Sequence, residues 1–313
     1  MNGLAKRVAV LAGCGLMLTG CASIGANHEA HPDVSQLVFI GDSNLDIGRA
    51  ITEREGNPQD GKVVPPGTVG KRYSNADILP EFLGKRLGLA QANYAWGGAT
   101  SGMTNIAGGR GATDMRETGL LAQMTELEAA LGGRPADAHA LYMVMAGSND
   151  LAAVDKSDQA AIDAAIKGVL ANLRTVVTRL DTLGAEFIVV GTRTPRPILS
   201  DHDRATEEPN TEAKNDAAGR QLNIAIRQLV EELDAELGAD VEVYDFYADI
   251  RDVIAHAESY GLAPYSSDPA NYCTAKGQTD CSRLINYDNA HKTSAVHAIL
   301  ADKFIRQFGL SAK

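Results

Sequence analysis

"LVFIGDSNLDIGR", residues 37–49, decides the architecture, because four apolar residues run straight into a glycine and a polar turn. A short continuous apolar run bounded by turn residues reads as a strand buried on both faces, the kind found in parallel sheets. "LVFIG" (37–41) has four companions: "ANYA" (92–95), "ALYMVMAG" (140–147), "EFIVVG" (186–191) and "VEVYDF" (241–246). Between the runs lie longer segments with helical spacing: "ADILPEFLGKRLG" (76–88), "GLLAQMTELEAALGG" (119–133), a stretch from 158 to 184, and "NDAAGRQLNIAIRQLVEELDAELG" (215–238). Several end in glycine, a common helix C-cap, and a last helix is expected over 293–308. Strands alternating with helices require crossovers, so the expected fold is α/β: a three-layer α/β/α, doubly wound, flavodoxin-like domain with a five-stranded parallel sheet. Ligands in such a fold sit beyond the carboxyl ends of the strands.

Three segments interrupt the rhythm, 48–75, 99–115 and 195–211. Their Gly, Pro, Asn and charged residues read as surface loops near the active edge rather than as linkers between domains. The chain shows no internal repeat, and residues 36–313 are expected to form one domain.

At the N-terminus, Lys6 and Arg7 precede an apolar stretch from Val8 to Leu18, which runs into "LTGCAS". That pattern describes a signal peptide over 1–20, since a membrane span needs about 20 apolar residues. Leu18, Thr19, Gly20 and Cys21 also resemble a bacterial lipobox, whose cysteine is lipidated after cleavage. This reading makes 21–35 a linker and places the protein in the cell envelope, as an outer-membrane lipoprotein facing the periplasm or the cell surface. The alternative is an ordinary signal cut near "IGANHEA", which releases the chain. A second match, ending at Cys14, leaves too short an apolar core.

The net charge is −11, and loss of Lys6 and Arg7 takes it to −13. Such a chain repels nucleic acid and anionic headgroups, so no nucleic-acid partner is expected. Beyond Cys14 and Cys21, only Cys273 and Cys281 remain, eight residues apart. In an oxidising compartment one disulfide between them is the simplest reading. The competing metal site from Cys273, Cys281, His291 and His297 lacks the close ligand pairing of zinc sites. A monomer is expected.

Ser43 directly follows the first strand, at the carboxyl edge where a helix start would place N–H groups beside it. Serine becomes a nucleophile only with a neighbouring base that a third group orients. "NYDNAHKTSAVH" holds the candidates: Asp288 and His291, three apart, so the carboxylate can accept from Nδ1 and leave Nε2 for the serine proton. "NYAWGGATS" puts Gly97 and Gly98 past the second strand, and "VMAGSNDL" puts Asn149 past the third. A glycine N–H and an asparagine amide are neutral donors suited to an oxyanion hole. Taken singly, each has a plainer role: Ser or Asn caps a helix, paired glycines make a turn, and Asp-x-x-His is a cap with a surface imidazole. Their joint placement at one sheet edge favours chemistry. His297 is expected on the last helix, Asp42 and Asp150 to hold loops, and Trp96 either to line a pocket or to pack.

The order "GDS", "NYAWGGAT", "GSND", "DNAH" resembles the four blocks of the GDSL, or SGNH, esterase and lipase family. "KRYSNADILPEFLGKRLGL" and "VYDFYADIRDVIAHAESYGL" extend the similarity across nearly all of residues 36–308. The resemblance implies an SGNH-hydrolase fold and an ester hydrolase acting on lipid or small acyl esters through an acyl-enzyme, with no cofactor or metal. By position it implies Ser43 as nucleophile, His291 as base and Asp288 as its partner, with the Ser43 and Gly98 N–H groups and the Asn149 amide as the oxyanion hole. Asn44 stands where the family name has leucine, and Lys292 stands where proline is common; both are expected to affect loop shape rather than activity. GxSxG is absent, which argues against the α/β-hydrolase elbow. Rival readings are an acyltransferase sharing the acyl-enzyme and a non-catalytic, surface-tethered binding protein.

Overall fold

Five strands form one all-parallel sheet: β1 (Gln36–Ile40), β2 (Ala90–Asn93), β3 (Leu141–Met145), β4 (Phe187–Gly191) and β5 (Asp240–Tyr244), in the order β2-β1-β3-β4-β5. The computed structural model describes residues 31, 33–56, 71–106, 117–196, 211–275 and 280–313. The expected signal segment, Cys14, Cys21 and most of the expected linker lie outside these residues, as do parts of all three expected loops. Among the described residues, no helix is long and apolar enough to cross a membrane.

The alternation of the central strands splits the core in two. Val38, Ile40, Tyr142, Val144, Ile188 and Val190 face one layer, where α3 (Leu120–Leu131), α5 (Gln159–Thr182) and α6 (Thr211–Glu236) supply Met124, Leu173, Val176 and Leu222. Leu37, Phe39, Leu141, Met143 and Val189 face the other, packed on α2 (Leu79–Leu87), α7 (Phe246–Ala255) and α8 (Ser294–Gln307) through Leu83, Ile250, Leu300 and Phe304. Strands buried on both faces explain why the runs are continuously apolar. Two helical layers around the sheet make the expected three-layer fold.

Local boundaries differ from the reading in instructive ways. β2 starts two residues earlier than "ANYA" and sits at the sheet edge, partly exposed, so packing does not mark it with a run of large apolar residues. Tyr94 and Trp96 nevertheless donate backbone hydrogen bonds to Phe39 and Gly41, extending the register past the strand. The expected loop at 48–75 opens with a helix, α1 (Arg49–Gly56). Two short helices, α4 (Ser148–Ala152) and α7, also lie outside the helical segments read from spacing.

β1 pairs with β3, although β2 comes between them in sequence. After β1 the chain winds outward to β2, then crosses back over β1 to β3 and winds the other way. The crevice at this reversal is where doubly wound folds bind ligands.

Gln123, buried on α3, fastens the end of β1. Its Oε1 accepts from Gly41 N at 2.7 Å, and its Nε2 donates to Gly41 O and Thr118 O, both at 2.9 Å. Gln123→Ala strands the buried N–H of Gly41, while the carbonyl keeps its bond from Trp96 N. It is expected to lower unfolding stability by about 1–3 kcal/mol, measured by urea denaturation.

Candidate active site

The chain leaves β1 in a tight turn, with Leu45 N and Asp46 N both bonded to Asp42 O. Ser43 rides on that turn, six residues before α1 begins at Arg49, and so is not its cap. Asp46 takes that role: its Oδ1 accepts from the N–H groups of Gly48 and Arg49, and its Oδ2 from Ala50 N. Asp46 Oδ2 also accepts from Gly97 N at 2.7 Å, tying the turn after β1 to the turn after β2. The sequence reading passed over Asp46, which looked like one more polar loop residue.

The hydroxyl of Ser43 lies 2.8 Å from His291 Nε2, across 248 positions of sequence. His291 Nδ1 lies 2.9 and 3.0 Å from the two carboxylate oxygens of Asp288. Asp288 Oδ1 in addition accepts from the backbone N–H of Ala290 and His291, both at 2.7 Å, so a local turn holds the carboxylate against the ring. Tyr287 N closes the turn on His291 O. Burial alone would raise the Asp288 pKa, but the facing imidazole and these donors outweigh it and hold the carboxyl well below its usual range. Tyr73 flanks the imidazole, ring centroids 5.1 Å apart.

The two glycines past β2 separate by partner. Gly97 N is taken by Asp46, whereas among the described residues the N–H groups of Gly98 and Ser43 have no hydrogen-bond acceptor. Gly98 adopts φ +84°, and a Cβ there would fall 2.5 Å from Asn105 Oδ1, so both backbone and space require glycine. Asn105, another residue the reading missed, donates to Gly97 O and Thr118 Oγ1. Asn149 Nδ2 donates to Ala99 O at 2.8 Å, which orients the amide and leaves its second hydrogen available. Ser43, Gly97, Gly98, Ser148, Asn149, Thr194, Arg196 and His291 line a cleft of about 210 Å³.

The remaining singled-out residues divide as follows. Asp42 is buried, with Oδ1 accepting from Asn44 N and Nδ2 at 3.0 and 2.8 Å. Asn44 thereby solvates a carboxylate that leucine would leave with a backbone donor alone. Asp150 holds the loop at Ser101 through its N–H and hydroxyl. His297 lies buried on α8, accepting from Leu79 N at 3.3 Å, and burial beside His291 and Lys292 pushes it down to about 3. Trp96 packs with Ala50, Ile51 and Tyr73 under the Arg49 guanidinium and is not part of the cleft lining. Cys273 and Cys281 are joined, Cα atoms 5.4 Å apart. With His291 on Ser43 and His297 on Leu79, the four residues of the rival metal reading do not converge.

Residues 37–304 match the family of GDSL-like lipase/acylhydrolase proteins, and the chain belongs to that family. It is a hydrolase acting on ester bonds. An acetylxylan esterase from Geobacillus stearothermophilus is similar in structure at 16% identity and TM-score 0.46, covering 89% of this chain and 96% of that one. An aryl esterase from M. smegmatis is similar at 14% identity and TM-score 0.46, over 87% of this chain and 97% of that one. These likenesses are too distant to speak of substrate. No relative was found among curated protein sequences.

Lys292, the second departure from the family pattern, is fully enclosed, and its Nζ donates to Asn286 Oδ1 at 3.0 Å. Burial, aided by the charge of Arg196 and opposed by Asp288, pushes the ammonium down to about 8. The unfolded chain keeps this proton until about 10.4, so between the two values the unfolded state binds more protons and stability rises with pH. Lys292→Met is expected to lead wild type in stability at pH 7. By pH 10 that lead narrows by about 1–3 kcal/mol, read from urea midpoints of both proteins at each pH.

Proposed function

We propose that Ser43 attacks an ester carbonyl while His291 Nε2 takes its proton, with Asp288 holding the tautomer that leaves Nε2 free. The observation that carries this reading is the continuous chain Asp288–His291–Ser43, with contacts of 2.9 and 2.8 Å, opening into a cleft. The oxyanion is received by the N–H groups of Ser43 and Gly98 and the spare hydrogen of Asn149 Nδ2, three neutral donors on residues that line the same cleft. The His291 proton passes to the leaving alcohol, and water activated by the same imidazole releases the acid from Ser43. A cleft of about 210 Å³ lies below the usual size of about 300–1,000 Å³ for pockets that enclose drug-sized ligands. That size favours short acyl groups over a fully enclosed fatty chain.

A fluorophosphonate probe is expected to label wild type and to leave Ser43→Ala unlabelled; equal labelling of both rejects the nucleophile. Asn149→Ala is expected to lower kcat about 100-fold to 1000-fold, the usual effect of losing one oxyanion donor, while labelling persists.

We further propose an exported protein anchored by lipid at Cys21, with the Cys273–Cys281 bond formed in the oxidising envelope. Expressed in bacteria, the full chain is expected in the membrane fraction. Cys21→Ser is expected to move it to the soluble fraction or leave it unprocessed; unchanged fractionation sinks the anchor.

A further inference from the structure

Beyond β4 the chain runs "TRTPR", residues 192–196, along the carboxyl edge of the sheet. Its two arginines are treated differently. Arg193 is buried, its guanidinium bonded to Asn215 O and Oδ1 and its backbone paired with Asn223. Arg196 is half-buried and lines the cleft, and among the described residues its guanidinium has no hydrogen-bond acceptor and no ion-pair partner.

The neighbouring carboxylates do not account for it. Asp288 is held by His291 and two backbone donors, and Asp42 is held by Asn44. Neither carboxylate bonds Arg196, although its positive field favours ionised Asp42 and disfavours protonated Lys292. Among the described residues of the lining, Arg196 is the one side chain with a permanent charge. It is positive in a chain of net charge −11, whose general field would turn anions away. A guanidinium presents a planar fork of donors that matches carboxylate, phosphate or sulfate, and a half-buried one without a partner is ready to receive such a group.

We infer that Arg196 is a specificity-determining residue and that the site takes esters bearing an anionic group within a few bonds of the scissile carbonyl. The inference rests on the Ser43 reading, which places the carbonyl in this cleft. The chemistry on the other side of the ester bond is unchanged; Arg196 contributes binding and takes no proton.

The test compares pairs of esters on one skeleton that differ by a carboxylate. Phenyl acetate is set against 4-acetoxybenzoate, which carries its charge on the alcohol side. Methyl butyrate is set against monomethyl succinate, which carries it on the acyl side. In wild type, at least one anionic ester is expected to have the higher kcat/KM of its pair. In Arg196→Gln the ratio of anionic to neutral kcat/KM for that pair is expected to fall about tenfold or more, and Arg196→Lys to keep part of it. Raising salt from about 0.05 to 0.5 M is expected to shrink the wild-type ratio and not that of Arg196→Gln. A purely structural role for Arg196 would slow both members of a pair and leave the ratio in place, which overturns the inference. So does a wild type that prefers the neutral ester in both pairs. If wild type cleaves none of the four and takes no fluorophosphonate label, the Ser43 reading fails and takes this inference with it. Labelled enzyme without the ratio change sinks this inference alone.

Discussion

The direct pairing of β1 with β3 is the constraint on which the site depends. Because the winding reverses there, the segments after β1 and β3 leave the sheet in opposite directions and open a crevice between them. Ser43 stands on one lip and Asn149 on the other, with Gly98 arriving from β2 and Arg196 from β4. His291 comes from outside the sheet, on a turn just ahead of α8, and closes the crevice by bonding Ser43. The docking of α8 on α2 and α7 through apolar contacts is therefore what sets the distance between base and hydroxyl.

A network of buried polar groups holds the lips of the crevice in place. Asp42, Asp46 and Asp150 are each driven toward the neutral form by burial, and each is opposed by hydrogen-bond donors. Such groups are costly unless satisfied, so they make poor general stabilisers and good positioners. Asp46 shows the logic most clearly, since one carboxylate starts α1 and also fixes Gly97. By occupying the N–H of Gly97, it leaves that of Gly98 as the one of the pair without an acceptor among the described residues. The choice of Gly98 over Gly97, which the resemblance implies, accords in the proposed reaction with that hydrogen bond.

Most of the fold was legible because burial on both faces forces an apolar run wherever a central strand lies. β2 escaped correct placement for the converse reason: an edge strand with the sequence AQAN is partly exposed, and its neighbours Tyr94 and Ala95 look more strand-like than it does. α4 has only five residues, too few to show a helical period, and α1 lies in a segment whose glycines and charges resemble loop. That Ser43, Asp288 and His291 come into contact and that Asn149 lines the same cleft could be anticipated because strand ends and a short Asp-x-x-His spacing are local features. Asp46, Asn105, Gln123 and Arg196 could not, because each acts through a partner or a cavity that only tertiary packing creates. Asn44 and Lys292, read as departures of loop shape, turn out to be buried polar residues with specific acceptors.

The distribution of unused donors carries the argument one step further. Buried polar groups in folded proteins are nearly always paired, so donors left without a protein acceptor mark either a cost or a place for something else to bind. Here, among the described residues, the N–H groups of Ser43 and Gly98 and the guanidinium of Arg196 have no acceptor, the Asn149 amide keeps a second hydrogen to give, and all four residues line the same small cleft. In the proposed reaction the first three receive the oxygen of the tetrahedral intermediate. The fourth belongs to another strand end and is charged, so it suits a second oxygen-bearing group rather than the same one. A neutral ester would satisfy only the first set, whereas an anionic one would satisfy both. That difference is why the positive charge of Arg196 in the lining, within a chain that is negative as a whole, bears on substrate choice and not on the chemistry of the ester bond.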